Sequence, residues 1–341
     1  MIFIHHASPS EISVFYDIQE SGWIGVDVFL CLSAFLLMRL LIIEYQQKGN
    51  ISLLKFYLRR ILRIWPLYFA YLVLIGAVSF FISGIGRDQI IRFITLATFT
   101  DNIATIFAGY NPLPATSHLW TISYEEQFYL VLPLVFMGMW KAPGRKVVVA
   151  VVILFVIGLL LRGTFIWQGF RHPGIWVFPF THFESIAGGI LMAYYYDACR
   201  NIPRWILVMA ALLSMVTLTL TSLATGNLPE LSVTYLAAGV LSFSVIQLAI
   251  APQWKWVHSI LMFKPFRYLG KVSYGLYIFH LICLSVVYQL RISDNNSIDT
   301  LAALAMTILC AIVSYELFEK RFLRMKNTQL RVVPPTDDQV S

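Results

Sequence analysis

Two adjacent carboxylates stand inside an apolar stretch of this chain, HLWTISYEEQFYLVLPL, residues 118–134. Insertion scales put the cost of a charged side chain at the centre of a spanning helix at roughly 2.5–3.5 kcal/mol, so such a residue needs a chemical or structural reason. On a helix that begins near His118, Glu125 and Tyr129 share a face, whereas Glu125 and Glu126 point about 100° apart. We therefore expect one glutamate to act as a base or to orient one. A carboxylate paired with an arginine of another helix is the structural alternative.

Histidines supply the second group of candidates. His5 and His6 stand side by side near the start of the chain, and imidazole is the usual general base near neutral pH. A pair of surface residues at a helix end is the alternative. His280, in SYGLYIFHL, follows Tyr277 by three residues on the same helical face. Its alternative is a hydrogen bond between helices.

A basic patch occupies KFYLRRILRIWPLYF, residues 55–69. Arg60 and Arg63 are three residues apart, and Arg59 and Arg63 are four apart, so these side chains are neighbours on a helix. The guanidinium fork suits phosphate, which predicts a binding site for a phosphorylated cytosolic ligand. The alternative is ordinary anchoring of a helix end by arginines that reach the membrane surface.

Weaker candidates are scattered through other apolar segments. GWIGVDVFLCLSAFLL, residues 22–37, places Asp27 at a helix start, where it also suits the helix dipole, and Ser33 inside the membrane, where it could relay an acyl group. His182 and Glu184, in THFESIAGG, are expected to be structural. The remaining substrate-site candidates are therefore Asp27, Ser33, Trp120, Tyr129, Tyr277 and His280.

The elements that must position these groups are apolar helices. Hydrophobic residues make up 58% of the chain and charged residues only 13%, against about 25% charged in soluble domains. A spanning helix needs about 20 apolar residues, and residues 89–107 are a shorter, broken run that forms either a short span or a re-entrant piece. The sequence predicts an all-α, polytopic transmembrane helix bundle of about ten spans, with clear runs near 24–43, 64–83, 120–140, 147–167, 181–196, 204–223, 231–250, 272–290 and 299–317.

The net charge of +7 indicates membrane orientation and not nucleic-acid binding. Nineteen of the 25 Lys and Arg residues fall in one set of loops, five in the other set and Arg39 within a span. By the positive-inside rule the first set is cytoplasmic, as is the C-terminus. The acidic loop 11–20 then faces outward. The cytoplasmic set is Lys48, Lys55, Arg59, Arg60, Arg63, Lys141, Arg145, Lys146, Arg200, Arg204, Lys255, Lys264, Arg267, Lys271, Lys320, Arg321, Arg324, Lys326 and Arg331.

The chain divides into a membrane domain, residues 1–325, and a polar tail, residues 326–341, which we expect to be disordered in the cytoplasm. The N-terminal MIFIHH is too short to cross about 30 Å at about 1.5 Å per residue, so we expect a truncated first helix. The four cysteines form no CxxC pair and no zinc spacing is present, so no metal is expected.

Taken in order, these segments resemble the integral-membrane acyltransferase family three, which includes bacterial O-antigen and exopolysaccharide O-acetyltransferases. GVDVFLCLSAFL looks like the family's GVDLFFVLSGFL, and FYLRRILRIWPLYF looks like its FYxRRxxRIxPxY. HLWTISYEEQFYLVLPL looks like HLWSLxVEEQFYLxxP, and KVSYGLYIFH looks like SYxLYLxH. The resemblance runs from residue 5 to about residue 320. Four motifs in the right order are a specific indication of this family.

The resemblance carries the family's roles to individual residues. His6 is most similar to the essential histidine that ends the first helix, with His5 as the fallback. The RxxR pair falls on Arg60 and Arg63, and the glutamate five residues after the tryptophan falls on Glu125. The departures are an alanine where the family has glycine in GVDVFLCLSAFL, and no counterpart to the arginine that precedes the family's histidine.

The resemblance implies a membrane acyltransferase that moves an acyl group, above all acetyl, from cytosolic acyl-CoA to a hydroxyl of a surface or lipid-linked carbohydrate. Acetyl-CoA or another acyl-CoA is then a co-substrate, with no bound cofactor. The implied partners are the acyl-CoA donor, the carbohydrate acceptor and the lipid bilayer, and the implied location is the bacterial cytoplasmic (inner) membrane. The alternatives are a multi-span transporter or glycan exporter, which needs no donor, and a catalytically impaired family member.

Overall fold

The computed structural model describes residues 1–7, 19, 21–84, 86–140, 144–221, 227–250, 255–293 and 295–329. Within these residues every regular element is helical, which confirms the all-α prediction. Most of the predicted acidic loop 11–20 and the end of the predicted tail, residues 330–341, lie outside them.

Six helices are long and apolar enough to cross a membrane, which confirms a polytopic membrane protein. They are α2 (Ile24–Lys48), α3 (Leu53–Ser83), α7 (Gly144–Trp167), α12 (Leu228–Ile250), α14 (Lys264–Leu290) and α15 (Asn296–Ser314). The last continues through the π-helical turn Tyr315–Glu319 into α16 (Lys320–Gln329). The other helices are α1 (Ile2–His6), α4 (Arg87–Ala97), α5 (Asp101–Ala108), α6 (Trp120–Met139), α8 (Gly174–Val177), α9 (Glu184–Tyr194), α10 (Tyr196–Arg200), α11 (Arg204–Leu220) and α13 (Lys255–Met262).

The remaining predicted spans are less regular than their apolar runs indicated. The run at 181–196 contains α9, whose 11 residues extend about 16 Å at the usual helical rise. The run at 204–223 contains α11, which has 17 residues. The helix α6 covers the predicted 120–140 run but carries both glutamates and an internal proline, Pro133.

The doubtful run at 89–107 forms two short helices, α4 and α5, and not one straight span. Phe99 between them has a φ of 55°. Arg92, one of the five basic residues outside the predicted cytoplasmic set, is buried. It donates to Asp101 Oδ1 and Thr105 Oγ1, both at 3.1 Å, and to the Gly109 carbonyl at 2.9 Å. A buried guanidinium needs such partners, so the pair of helices folds around it.

Buried charge pairs join the helices near the centre of the bundle. Asp27 on α2 is fully buried and accepts from His182 Nε2 at 3.0 Å and from the Ser185 hydroxyl. Arg162 on α7 is also fully buried and pairs with Glu184 at the start of α9. His182 and Glu184 thus have the structural contacts expected of them, and Asp27 belongs to the same network.

Arg162→Ala is expected to lower the free energy of unfolding by about 3–5 kcal/mol, because it leaves Glu184 buried without its charge partner. Removing both charges, in Arg162→Leu with Glu184→Leu, is expected to recover most of that loss. The measurement is the apparent unfolding temperature of the detergent-solubilised protein, with the exposed Arg87→Ala as control. An equal loss in the single and double variants would contradict the pairing.

Candidate functional site

A cavity of about 880 Å³ lies at the end of the bundle where α1 meets the turn before α6 and the segment around α8. Its size falls within the range of roughly 300–1,000 Å³ typical of small-molecule sites. The polar residues that line it include His5, His6, His118, His172 and Glu230, and the aromatic ones are Trp23, Tyr110, Trp120, Trp176 and Tyr277. Among the predicted site residues, the two N-terminal histidines, Trp120 and Tyr277 therefore meet in one cavity.

Three imidazoles cluster at this cavity. His280 Nε2 lies 3.2 Å from His6 Nδ1, and the rings of His280 and His118 have centroids 4.6 Å apart. His280 and His118 are buried, whereas His6 is partly exposed and lines the cavity. The sequence separates these residues by more than 100 positions, so only the fold brings them together.

Backbone carbonyls determine where the protons sit in the His6–His280 pair. A carbonyl oxygen can only accept a hydrogen bond. The contact of His280 Nδ1 with the Tyr277 oxygen at 2.5 Å therefore places a proton on Nδ1. When the ring is neutral, His280 Nε2 is then an acceptor. His6 Nδ1 contacts the Ile2 oxygen at 3.0 Å and therefore also carries a proton, shared with His280 Nε2. His6 Nε2 keeps its lone pair, and no described residue hydrogen-bonds to it.

His5 shares part of this arrangement. Its Nδ1 donates to the Gln19 carbonyl at 3.0 Å, which likewise leaves its Nε2 as acceptor. Unlike His6, it has no second imidazole hydrogen-bonded behind it among the described residues. The geometry therefore distinguishes the two histidines by the support each ring receives.

His118 is a site residue that the sequence reasoning quoted but gave no role. Tyr277 donates to the His118 carbonyl at 2.7 Å and Thr121 does so at 3.1 Å, so the turn before α6 is tied to α14. The His118 ring is buried and packs edge to face against Tyr277 and His280, with ring centroids 5.1 Å and 4.6 Å apart. Burial and the neighbouring His280 and His6 lower the pKa of His118 well below its usual range, so the ring is neutral at pH 7. The sequence signal that could have identified His118 is its position as the first residue of the HLW motif.

The two glutamates of α6 face different neighbours, as their angular separation predicts. Glu126 accepts from Trp65 Nε1 at 3.1 Å. Glu125 is buried, with one oxygen lacking any partner in the described structure, and its carboxylate interacts with Tyr129 and Arg60. It lies one helical turn below Thr121 of the cavity wall.

Tyr129 links Glu125 to α2. Its side chain interacts with Ser33, and the two carboxylates of α6 and Arg60 also lie near it. Ser33 and Tyr129, both predicted from sequence, therefore belong to the Glu125 neighbourhood and not to the cavity lining.

The three arginines of α3 have different surroundings. Arg59 is buried and pairs with Glu44 at 3.0 Å. Arg60 lies near Tyr129 and Glu126, and Arg63 lies near Glu319, but neither forms an ion pair within 4 Å in the described part of the chain. The Arg60–Arg63 pair thus keeps guanidinium donors that a ligand could use.

These neighbourhoods join into one column of polar residues. It runs from the cavity through the three imidazoles and Tyr277, which lies near Glu125, to Tyr129 and Arg60. Asp27 and Arg59 lie outside this column, Asp27 held by His182 and Arg59 by Glu44. No group of three His, Cys, Asp or Glu side chains that could hold a metal occurs within the ranges described.

Comparison with known proteins gives independent evidence. Peptidoglycan O-acetyltransferase OatA of Listeria monocytogenes is 24% identical over 324 residues, which cover 88% of this chain and 51% of that protein. SACOL0978 of Staphylococcus aureus, provisionally named an O-acetyltransferase, is 22% identical over 88% of this chain and 52% of its own length. An uncharacterized Haemophilus influenzae protein is 29% identical over 52% of the chain and 77% of its own length.

The chain thus spans about half the length of the first two relatives, and no solved structure matches it. The family model described as an acyltransferase domain matches residues 1–316 of the 341. This match covers every candidate residue of the column and confirms the resemblance seen in the four motifs. The chain belongs to the acyltransferase family defined by this domain.

Proposed function

We propose that this protein transfers an acyl group, in the first place acetyl, from acyl-CoA to a hydroxyl of a surface or lipid-linked carbohydrate. The observation that carries the proposal is the bare Nε2 of His6 at a cavity whose polar column leads to Arg60. The relatives named as O-acetyltransferases, one of them acting on peptidoglycan, support the reaction class.

In the proposed reaction His6 Nε2 removes the proton of the acceptor hydroxyl as its oxygen attacks the thioester carbonyl. The new C–O bond replaces the C–S bond, and the CoA thiolate leaves and takes up the proton. The imidazolium formed on His6 keeps two acceptors for its Nδ1 proton, the Ile2 carbonyl and His280 Nε2. His280 is a positioning residue in this scheme.

Glu125 and Tyr129 would line the path by which the thioester approaches His6. Tyr277 lies between Glu125 and the His118 turn, so the glutamate can orient the reacting groups through it. Direct transfer needs no further nucleophile. Ser33, held near Tyr129, is where an acyl-enzyme would form if one exists.

The donor phosphates would bind at Arg60 and Arg63. The guanidinium fork matches phosphate oxygens, and by the positive-inside rule the predicted cytoplasmic set of lysines and arginines would lie on the donor side. In this orientation the C-terminus would lie in the cytoplasm and the cavity at the outer face of the bacterial inner membrane. The prediction of about ten crossings would add α6 and α11 to the six long helices, whereas α1 and α9 are too short to cross about 30 Å by themselves.

His6→Ala is expected to lower the transfer rate by about 10²–10⁴-fold, the usual contribution of a general base. His5→Ala is expected to retain most of the activity, because His5 lacks the His280 support. The measurement is ester-linked acyl content of surface glycans, by mass spectrometry, in cells lacking the gene and complemented with each variant. If His5→Ala lost more activity than His6→Ala, His5 would be the general base. If acylation were unchanged but less glycan reached the surface, the protein would be a glycan exporter and not an acyltransferase.

Arg60→Ala and Arg63→Ala are each expected to weaken acyl-CoA binding by about 10–100-fold. A hydrogen bond to a charged group contributes about 1.5–3 kcal/mol, and about 1.4 kcal/mol corresponds to a tenfold change in affinity. Equilibrium binding of radiolabelled acetyl-CoA to purified protein measures the effect. Arg59→Ala is the matched control, expected to destabilise the fold more than it changes affinity. Equal affinity losses in all three variants would contradict the assignment.

Glu125→Gln is expected to lower kcat by about 10²-fold, because an amide offers one oxygen acceptor where the carboxyl group has two oxygens to orient the reacting groups. Glu126→Gln keeps an oxygen that can accept from Trp65 and is expected to retain most of the rate. Single-turnover transfer in proteoliposomes loaded with labelled acetyl-CoA separates the two variants. A larger loss in Glu126→Gln would assign the functional role to that residue instead.

A further inference from the structure

The charges around the cavity are strongly one-sided. Among its described lining residues there is one carboxylate, Glu230, and no lysine or arginine. The nearest arginine in sequence to a lining residue is Arg171, beside His172. Its Nη1 donates to the backbone oxygens of Ile166 and Phe170, at 3.2 Å and 2.9 Å, which occupies this donor.

The His118 ring does not supply a positive charge. Burial and the neighbouring His280 and His6 lower the pKa of His118 well below its usual range, so the ring is neutral at pH 7. An acidic ligand would therefore leave water without a lysine or arginine to pair with among the described lining residues, which is costly.

Aromatic rings provide the apolar part of the same cavity. Trp23 and Trp176 meet edge to face with centroids 4.9 Å apart, and Trp120 lies 6.0 Å from Trp176. Trp23 is partly exposed. Such rings combine an apolar face with a polar edge atom, and the hydroxyls of Ser117 and Thr219 line the cavity beside them. This surface suits a sugar ring, which has apolar C–H faces and neutral hydroxyl edges.

We propose that this cavity is an acceptor site for uncharged saccharides and that it rejects acidic sugars. The proposal rests on the proposed function for the chemistry that follows binding, but the recognition itself depends only on the cavity. It narrows the acceptor class from carbohydrates in general to neutral glycan units. The relevant contacts are aromatic stacking and neutral hydrogen bonds.

The first test is binding of cellotetraose and of the same tetrasaccharide oxidised at C6 to carboxylates, followed by tryptophan fluorescence of the purified protein in nanodiscs. We expect the neutral sugar to bind at least tenfold more tightly. Equal or tighter binding of the oxidised sugar would overturn the proposal, and so would the absence of binding by the neutral one.

Charge reversal at Glu230 sharpens the test. Glu230→Lys is expected to reduce the preference for the neutral sugar by about tenfold or more, because it places a cation among lining residues that, as far as the structure describes them, include no lysine or arginine. Asp88→Lys is the matched control, since Asp88 is also an acidic residue in the first turn of a helix but does not line the cavity. An unchanged preference in Glu230→Lys, or the same change in both variants, would overturn the electrostatic basis.

The binding measurement also separates this proposal from the proposed function. His6→Ala is expected to lose acyl transfer while it still prefers the neutral sugar. Binding without any transfer by the intact protein would remove the acyltransfer proposal and leave the saccharide site. Transfer to the oxidised sugar in preference to the neutral one would remove the proposal of a neutral-saccharide site and leave the acyltransfer proposal.

Discussion

Pairing of buried charges is the constraint on which the rest of this bundle depends. Asp27 with His182 and Arg162 with Glu184 are almost fully removed from solvent, where a single charge would be very costly. The Asp27–His182 contact joins α2 to the segment just before α9, and the Arg162–Glu184 contact joins α7 to α9. His182 also stacks on Trp176, with ring centroids 3.9 Å apart. The Asp27–His182 pair therefore also positions an aromatic residue that lines the cavity.

The same rule distinguishes neighbouring polar residues. Arg59 has a carboxylate partner, whereas Arg60, one residue later, has none within 4 Å in the described structure. Glu126 accepts from Trp65 Nε1, while one oxygen of each of the two glutamates has no partner there. The proposed donor site therefore uses the arginine whose guanidinium has no carboxylate within 4 Å.

Much of the architecture was predictable because a continuous apolar run of sufficient length can only be a spanning helix. Six runs fulfilled that prediction. The runs at 89–107 and 181–196 did not give long helices, because Arg92 and Glu184 find partners that depend on the fold and hydropathy cannot anticipate them. Helical spacing showed that Glu125 and Glu126 diverge, but the neighbour of each came only from tertiary structure. His118 was missed for the same reason, since its partners lie on α1 and α14.

A neutral base suits a cavity whose described lining residues include no lysine or arginine. If a carboxylate served as base beside Glu230, two acidic groups would share that site, and each would oppose ionisation of the other. A neutral imidazole avoids that conflict before proton transfer. In the proposed transfer, the imidazolium formed on His6 would keep the Ile2 carbonyl and His280 Nε2 as acceptors for its Nδ1 proton. The hydrogen bonds that fix the His6 tautomer therefore also fit the proposed uncharged acceptor site.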